Sequence, residues 1–499
     1  MTRLCALALI AGGVWFAFGP ALPRVFFADQ LWYFAELRGD TSLAAGLRLH
    51  DYAAARQYWS GLDNLPYRPL LFTWMAIANS AFSYHHVWWN AANLVLHVAT
   101  ATALYGCLMA IRPSRLAIVA AVIFAVSRPS ADLVFWNHLG GYLLAWMFLL
   151  VALRAFVLVT EHDRPAGRQA VVYAAAMTAS LLCHEVVAPM AVVGGALLLW
   201  RDRVRGRATI TRALMFLAPV IVFGVSYLGH LVRVQRTQAA TGVRELLGGL
   251  VEPRNVVVGM LRAAEAVARW TLEMAMPVLD MRVMGERSFA AIPDAVAAAD
   301  PLALAANVVL LAGAVALLIK TAAPAALAAR RPLAVFLVLM AVIYAALHGI
   351  SHARAQLNTT GHYTYFFHLW AVVFGYALVE VRAPGTRARG WAMALLVAIG
   401  ALEAVNTRHA AAALGMSERR ASAYFEAIAA FVDAHRRDPG FRFRIDRPPH
   451  DLDPLVTLEQ DVPGTPPRLI QMRASEILFS RYYDAARPAH VLDGATLVR

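Results

Sequence analysis

The sequence predicts an all-α polytopic membrane protein of about eleven transmembrane helices, followed by a small α/β extracytoplasmic C-terminal domain. Three observations carry that prediction. Of the 499 residues 60% are hydrophobic and only 15% charged, with a mean hydropathy of +0.55, whereas a soluble globular chain holds about 25% charged residues. Apolar runs approaching the roughly 20 residues needed to cross a hydrocarbon core recur along the chain. Arginines gather in alternate connections between those runs, as the positive-inside rule requires.

The runs lie at 4–22, 87–110, 116–131, 140–159, 170–183, 186–200, 213–231, 301–319, 332–350, 363–381 and 390–406. The run at 170–183 is short, so that it either extends past His184 or forms a tight helical pair with its successor. With Met1 in the cytoplasm, the cytoplasmic connections hold Arg112 and Arg115, Arg164 and Arg168, five arginines from Arg201 to Arg212, Lys320 with Arg330 and Arg331, and Arg382, Arg387 and Arg389. The opposite short connections offer only Arg128 and Arg354. This pattern puts the C-terminal domain outside, and the near absence of lysine with alanine-rich helices fits a high-GC bacterial codon bias, so the expected location is a bacterial cytoplasmic (inner) membrane. The first run reads as an uncleaved anchor, because Pro20-Ala21-Leu22-Pro23-Arg24 contains no small-x-small cleavage site.

Residues 1–406 thus form a transmembrane domain and 407–499 a domain beyond it. Within the first, 23–86 is a first extracytoplasmic loop rich in aromatic and charged residues, and 232–300 an extracytoplasmic or interfacial segment. The latter holds an amphipathic stretch from Asn255 to Met276, whose Arg262, Glu265 and Arg269 suit the membrane interface better than its interior. The tail opens as a helix through Arg436, breaks at Asp438-Pro439-Gly440 and continues as the strand-like alternation Phe441-Arg442-Phe443-Arg444-Ile445. It carries no tetratricopeptide period.

Composition also excludes classes. The 31 glycines and 24 prolines have no period, against a collagen-like or disordered chain. The net charge of +13 is almost all arginine, Lys320 being the sole lysine; its placement in short loops argues for topology and against a nucleic-acid partner. Cys5, Cys107 and Cys183 each lie in apolar runs, which supports neither a disulfide framework nor a cysteine metal site.

Polar side chains inside spans are costly and mark function by default. His86, Asn90, Asn93 and His97 recur on one helix face within an arc of about 60°. Their structural alternative is interhelical hydrogen bonding. His184-Glu185 stands at the outer end of the fifth run, where the carboxylate suits a base, a cation ligand or a partner for an arginine across the bundle. His348 and His352, with Arg354, His362, Tyr363 and Tyr365 beyond them, make a cationic and aromatic pocket mouth suited to a phosphate headgroup. No acidic third ligand is near that histidine pair, so a metal is not supported. Asp29, in Phe26-Phe27-Ala28-Asp29-Gln30 just after the first span, sits where partial desolvation would make it a usable base. The same segment carries Tyr67-Arg68-Pro69-Leu70 further on.

Taken in order, Asp29, the YRPL motif, the Asn90/Asn93/His97 helix, the loop leading to Trp136, the His184-Glu185 pair and the Tyr363-x-Tyr365 element resemble the GT-C superfamily. These are multispanning glycosyltransferases fed by polyprenyl-phosphate sugars, and the bacterial transmembrane O-mannosyltransferase-like proteins are similar over roughly residues 1–381. The resemblance implies that Asp29 activates the acceptor hydroxyl, that Tyr67 and Arg68 shape the substrate site, and that Glu185 is the glutamate of a Lys-Glu pair with His184 in place of lysine. It further implies that His362, Tyr363 and Tyr365 stand near the lipid phosphate, histidine again replacing a basic residue. Gln30 stands where many relatives carry a second acid.

The function so implied is transfer of a sugar from a polyprenyl-phosphate donor to an extracytoplasmic acceptor, a protein, glycolipid or envelope polysaccharide, with inversion. No cofactor is required and a divalent cation is optional. The alternatives are a transporter or lipid-binding membrane protein in which the His86 to His97 stripe lines a pathway, and a degenerate transferase serving as a scaffold.

Overall fold

The computed structural model describes residues 3–26, 29–48, 67–136, 139–162, 166–206, 209–237, 253–276, 278–279, 282–283, 286–287, 292–321, 331–351, 361–378, 386–460, 468–494 and 496–497. Helix α1 (Arg3–Phe18) runs into a 3₁₀ turn at Gly19–Ala21, where Pro20 removes the donor that a further α-turn needs. Two short helices follow, α2 (Asp29–Glu36) and α3 (Leu43–Arg48). Next come α4 (Pro69–Phe82), α5 (His86–Ile111), α6 (Leu116–Val126), α7 (Ala131–Phe135) and α8 (Gly140–Thr160).

Helices α9 (Ala166–Cys183) and α10 (Ala188–Val204) are joined by a 3₁₀ turn at Glu185–Val187, so the fifth run ends before His184 rather than extending past it. The chain continues through α11 (Ile210–Thr237), α12 (Pro253–Ala275), a two-residue hairpin of β1 (Arg282–Val283) and β2 (Glu286–Arg287), α13 (Ile292–Ala298), α14 (Pro301–Thr321), α15 (Arg331–Ser351) and α16 (Gly361–Leu378). A 50-residue helix, α17 (Thr386–His435), leads into the tail.

Among the described residues five helices are long and apolar enough to cross a membrane: Leu4–Ala21, His86–Ile111, Gly140–Thr160, Ile210–His230 and Arg331–Gly349. A sixth is added if α13 and α14, bent by 116° at their junction, count as one span. The expectation of eleven is not confirmed. The runs at 116–131 and 363–381 appear as the shorter apolar helices Leu116–Val126 and Thr364–Leu378, and 170–183 and 186–200 belong to helices that take in polar ends such as Arg168 and Arg201–Arg203.

Another difference concerns the segment 23–86, whose last part is not a loop. Pro69 sits at the start of α4, where its missing N–H costs nothing. The resulting apolar helix lies against the start of α8 so closely that a Cβ on Gly141 would stand 2.5 Å from Leu71 Cγ. The amphipathic stretch at 255–276 is helical as expected. It buries Gly259, Ala263, Ala266 and Trp270, the last among Tyr344, His348 and Phe367, while Val257, Met260 and Leu261 face outward.

The tail also departs from the expected boundary at 406, because α17 passes it without a break. From 401 to 437 the sequence is alanine-rich and has no proline, so nothing stops the helix before Asp438-Pro439-Gly440. The close crossing of α17 over the first 3₁₀ turn is possible only at Gly415, where a Cβ would meet Pro20 O at 2.0 Å.

Beyond the helix, β3 (Phe443–Asp446) pairs in parallel with β6 (His490–Asp493), and β4 (Leu455–Gln460) antiparallel with β5 (Arg468–Arg473), followed by α18 (Ala474–Leu478). Asp453 is fully buried and accepts from Ser475 N at 2.9 Å, Ser475 Oγ at 2.6 Å and the Tyr424 hydroxyl at 3.1 Å, which fastens this module to α17. Its apolar residues Phe443, Ile445, Ile477 and Phe479 belong to the same contiguous core as the helical bundle.

Helix α17, the tail module and the turn before α5 together seat the chain on either side of α2. Glu418 accepts from Val25 N at 2.7 Å. Arg481 pairs with Asp40 at 2.5 Å. Tyr84 donates to Gly39 O, and its ring packs on Phe479 at 4.8 Å and on Phe34 of α2 at 6.1 Å.

Candidate functional site

The constellation best suited to chemistry forms where α4, α8 and the α9–α10 turn meet. Arg68 precedes a proline and is held out of the helical region, which projects its side chain from the start of α4. Its Nε and Nη2 donate to the two oxygens of Glu185 at 2.7 and 2.5 Å, and Nη1 donates to the Tyr142 hydroxyl at 2.6 Å. This is the bidentate fork that an arginine makes with a carboxylate. The pair is not sealed: the side chains are 20% and 31% exposed. Burial opposes ionisation of Glu185, but the adjoining charge and hydrogen bonds of Arg68 hold its pKa down to about 2.

His184 adopts an extended backbone, and its Nδ1 accepts the Val186 amide proton at 3.2 Å. Its ring meets Tyr142 edge-on at 4.5 Å and stacks over Trp146 at 6.1 Å. A nitrogen that accepts an amide proton has no proton of its own, so the ring is the neutral Nε2–H tautomer. Burial, and then the positive charge of Arg68, push its pKa down to about 3. In this geometry the cation of the site is Arg68, with a neutral His184 ring beside it.

Beside Arg68, Tyr67 lies against an aromatic face of α11. Its ring is 6.2 Å from Phe223, 6.2 Å from Tyr227 and 5.1 Å from His230. Positions 223, 227 and 230 share one helix face. The site is thus an ion pair bordered by the hydroxyl of Tyr142 and, beside Tyr67, an aromatic wall.

The polar stripe of α5 lies elsewhere. His86, Asn90, Asn93 and His97 are each at most 1% exposed. His86 Nε2 is 2.8 Å from Ser422 Oγ, and its Nδ1 is 3.1 Å from Glu426. Asn90 donates to the carbonyls of Leu22 and Arg24 at 2.9 and 2.8 Å, and Asn93 to those of Val134 and Trp136 at 3.2 and 3.3 Å. His97 bonds Ala125 O at 2.9 Å and the buried hydroxyl of Tyr365 at 3.0 Å. The stripe joins α5 to its neighbours, and Tyr365 is part of that core rather than of an open mouth.

Asp29 is the first residue of α2, and His362 and Tyr363 lie at the start of α16; their side chains fall outside the described residues, as does Arg354 altogether. Among the described residues, no three His, Cys, Asp or Glu side chains are grouped to hold a metal. Sequence reasoning missed Tyr142, Trp146, Tyr227 and His230, which sit in runs that read only as apolar. It also missed Ser422, Glu426 and Asp433, which lie on an ordinary-looking amphipathic helix.

Comparison with protein families, with curated proteins and with solved structures finds no match to this chain. The apolar helices mark a largely helical membrane protein that carries a small C-terminal sheet region.

Proposed function

We propose that the protein is a membrane glycosyltransferase that moves a sugar from a polyprenyl-phosphate donor to an extracytoplasmic acceptor in the bacterial inner membrane. One observation supports this above the others. Arg68 and Glu185, drawn from separate motifs and assigned by resemblance to one site, meet in a bidentate pair that remains partly exposed.

In this reading Asp29 takes the proton of an acceptor hydroxyl as its oxygen forms a bond to the anomeric carbon. The bond from that carbon to the phosphate oxygen breaks with its electrons, giving inversion and a charged polyprenyl phosphate. Arg68, oriented by Glu185 and Tyr142, stabilises the departing phosphate. The aromatic wall of Tyr67, Phe223, Tyr227 and His230 offers apolar surface to the sugar or the lipid. The burial and bonding of the α5 stripe weigh against its lining a transport pathway.

Asp29→Asn tests the proposal. The purified variant should retain a bound polyprenyl phosphate in native mass spectrometry while losing at least about a hundredfold in transfer rate, the scale of general-base catalysis. Full transfer by the variant, or a wild-type protein that binds only ordinary phospholipids, would overturn it.

A further inference from the structure

Three consecutive residues at the turn into α5 each reach a different part of the C-terminal module or the loop it seats. Tyr84 bonds Gly39 and packs on Phe479. His86 meets Ser422 and Glu426. Between them His85 holds two carboxylates at once: Nδ1 is 2.6 Å from Glu426 and Nε2 is 2.8 Å from Asp433. Residues 426 and 433 are seven apart and therefore share one face of α17.

We propose that His85 is a proton-operated clasp, whose doubly protonated ring ties α17 to the bundle and thereby fixes helix α2, which begins at Asp29. An imidazolium donates from both nitrogens, which matches two carboxylate acceptors. A neutral ring has one donor and one lone pair, so on deprotonation one carboxylate faces a lone pair and loses its hydrogen bond. The hydrogen bond to Glu426, followed by that to Asp433, outweighs burial and raises the His85 pKa to about 9.

Other charged groups nearby are Arg436, 3.3 Å from Asp433, His86 on Glu426, and Arg481 beside Tyr84. Because the folded pKa lies above the ordinary value near 6.5, the contribution is complete below that value. It is lost as pH rises through about 9. Glu418 of α17 holds Val25, and Arg481 of the tail holds Asp40, on the two sides of α2, so release of α17 frees the seat of that helix.

The effect on activity rests on the transferase reading, whereas the clasp does not. The test is pulsed hydrogen exchange of the full chain in nanodiscs from pH 7 to 10, with pulse length scaled to intrinsic exchange. Peptides covering 29–48 and 474–483 should lose protection several-fold across pH 9 in the wild type. His85→Gln should show that reduced protection already at pH 7.5, with no further transition, and Asp433→Asn should move the transition to lower pH.

Wild-type protection that stays flat over this range, or an unchanged transition in His85→Gln, would overturn the clasp. If protection follows His85 but no transfer is found, the clasp stands and the transferase reading fails. If transfer is found with the same pH profile in wild type and His85→Gln, the coupling to Asp29 fails.

Discussion

Arg68 illustrates how far single residues were readable. Both it and Glu185 stood out, one in a YRPL motif and the other as a carboxylate at a helix end, but nothing local to either announced their meeting across 117 positions. Tyr142, which takes the third bond of the guanidinium, lies in a run whose pattern reports only burial. The pair leads to a pH prediction of its own. Glu185 is held down at about 2 in the folded protein, against about 4.3 for a free side chain. Its contribution is therefore present above the free value and lost as pH falls through the folded one. Glu185→Gln keeps the shape and removes the charge, so it should cost about 1–3 kcal/mol near neutrality. Melting temperatures of variant and wild type should converge as pH falls from 5 toward 2; a constant offset would show that the pair is not what the substitution disturbs.

Helices were more legible than their uses. The four polar positions of α5 read correctly as one face, yet whether such a face lines a pathway or bonds neighbouring helices depends on what the fold brings to it. Here that is carbonyls from the end of α1, α6 and the loop around α7, together with Tyr365 and α17. Helix α4 was hidden within a segment taken whole as a loop, though Pro69 at its first turn was a start signal. In α17 the uninterrupted helix was implied by the lack of breakers, while its crossing at Gly415 was not. Gly415→Ala should lower the melting temperature, because the added methyl overlaps a backbone oxygen; overpacking of this kind costs about 1–3 kcal/mol. Gly390→Ala on the same helix meets nothing within 4 Å and should be neutral or stabilising by up to about 1 kcal/mol. Equal effects would remove the argument from close approach.

For the molecule as a whole, the membrane class and the mixed tail followed from composition and periodicity, whereas the number of spans did not. Apolar runs report burial, and a helix buried by protein reads like one buried by lipid; α8, covered along most of its length, is the clearest case. The union of tail and bundle into one core also lay beyond sequence patterning, because it depends on contacts such as those of Tyr84 and His85 with residues far along the chain. At 1.5 Å per residue α17 is a rod of about 75 Å, well over twice the hydrocarbon thickness. The stretch from Gly415 to Asp433 is about five whole turns, so the glycine that clears Pro20 and the carboxylate that meets His85 lie on one line about 27 Å apart. Angle and height are thereby locked like the thread of a screw. One alanine inserted after Met416 would turn the upper part by about 100° and carry Ser422, Glu426 and Asp433 away from α5, abolishing the alkaline exchange transition while leaving the lower part seated. Seven inserted residues would nearly restore the angle but lift the carboxylates by about 10 Å. Since no insertion keeps both, the length of this interval is fixed to the residue, and a wild-type transition in either insertion variant would show that the thread is not engaged.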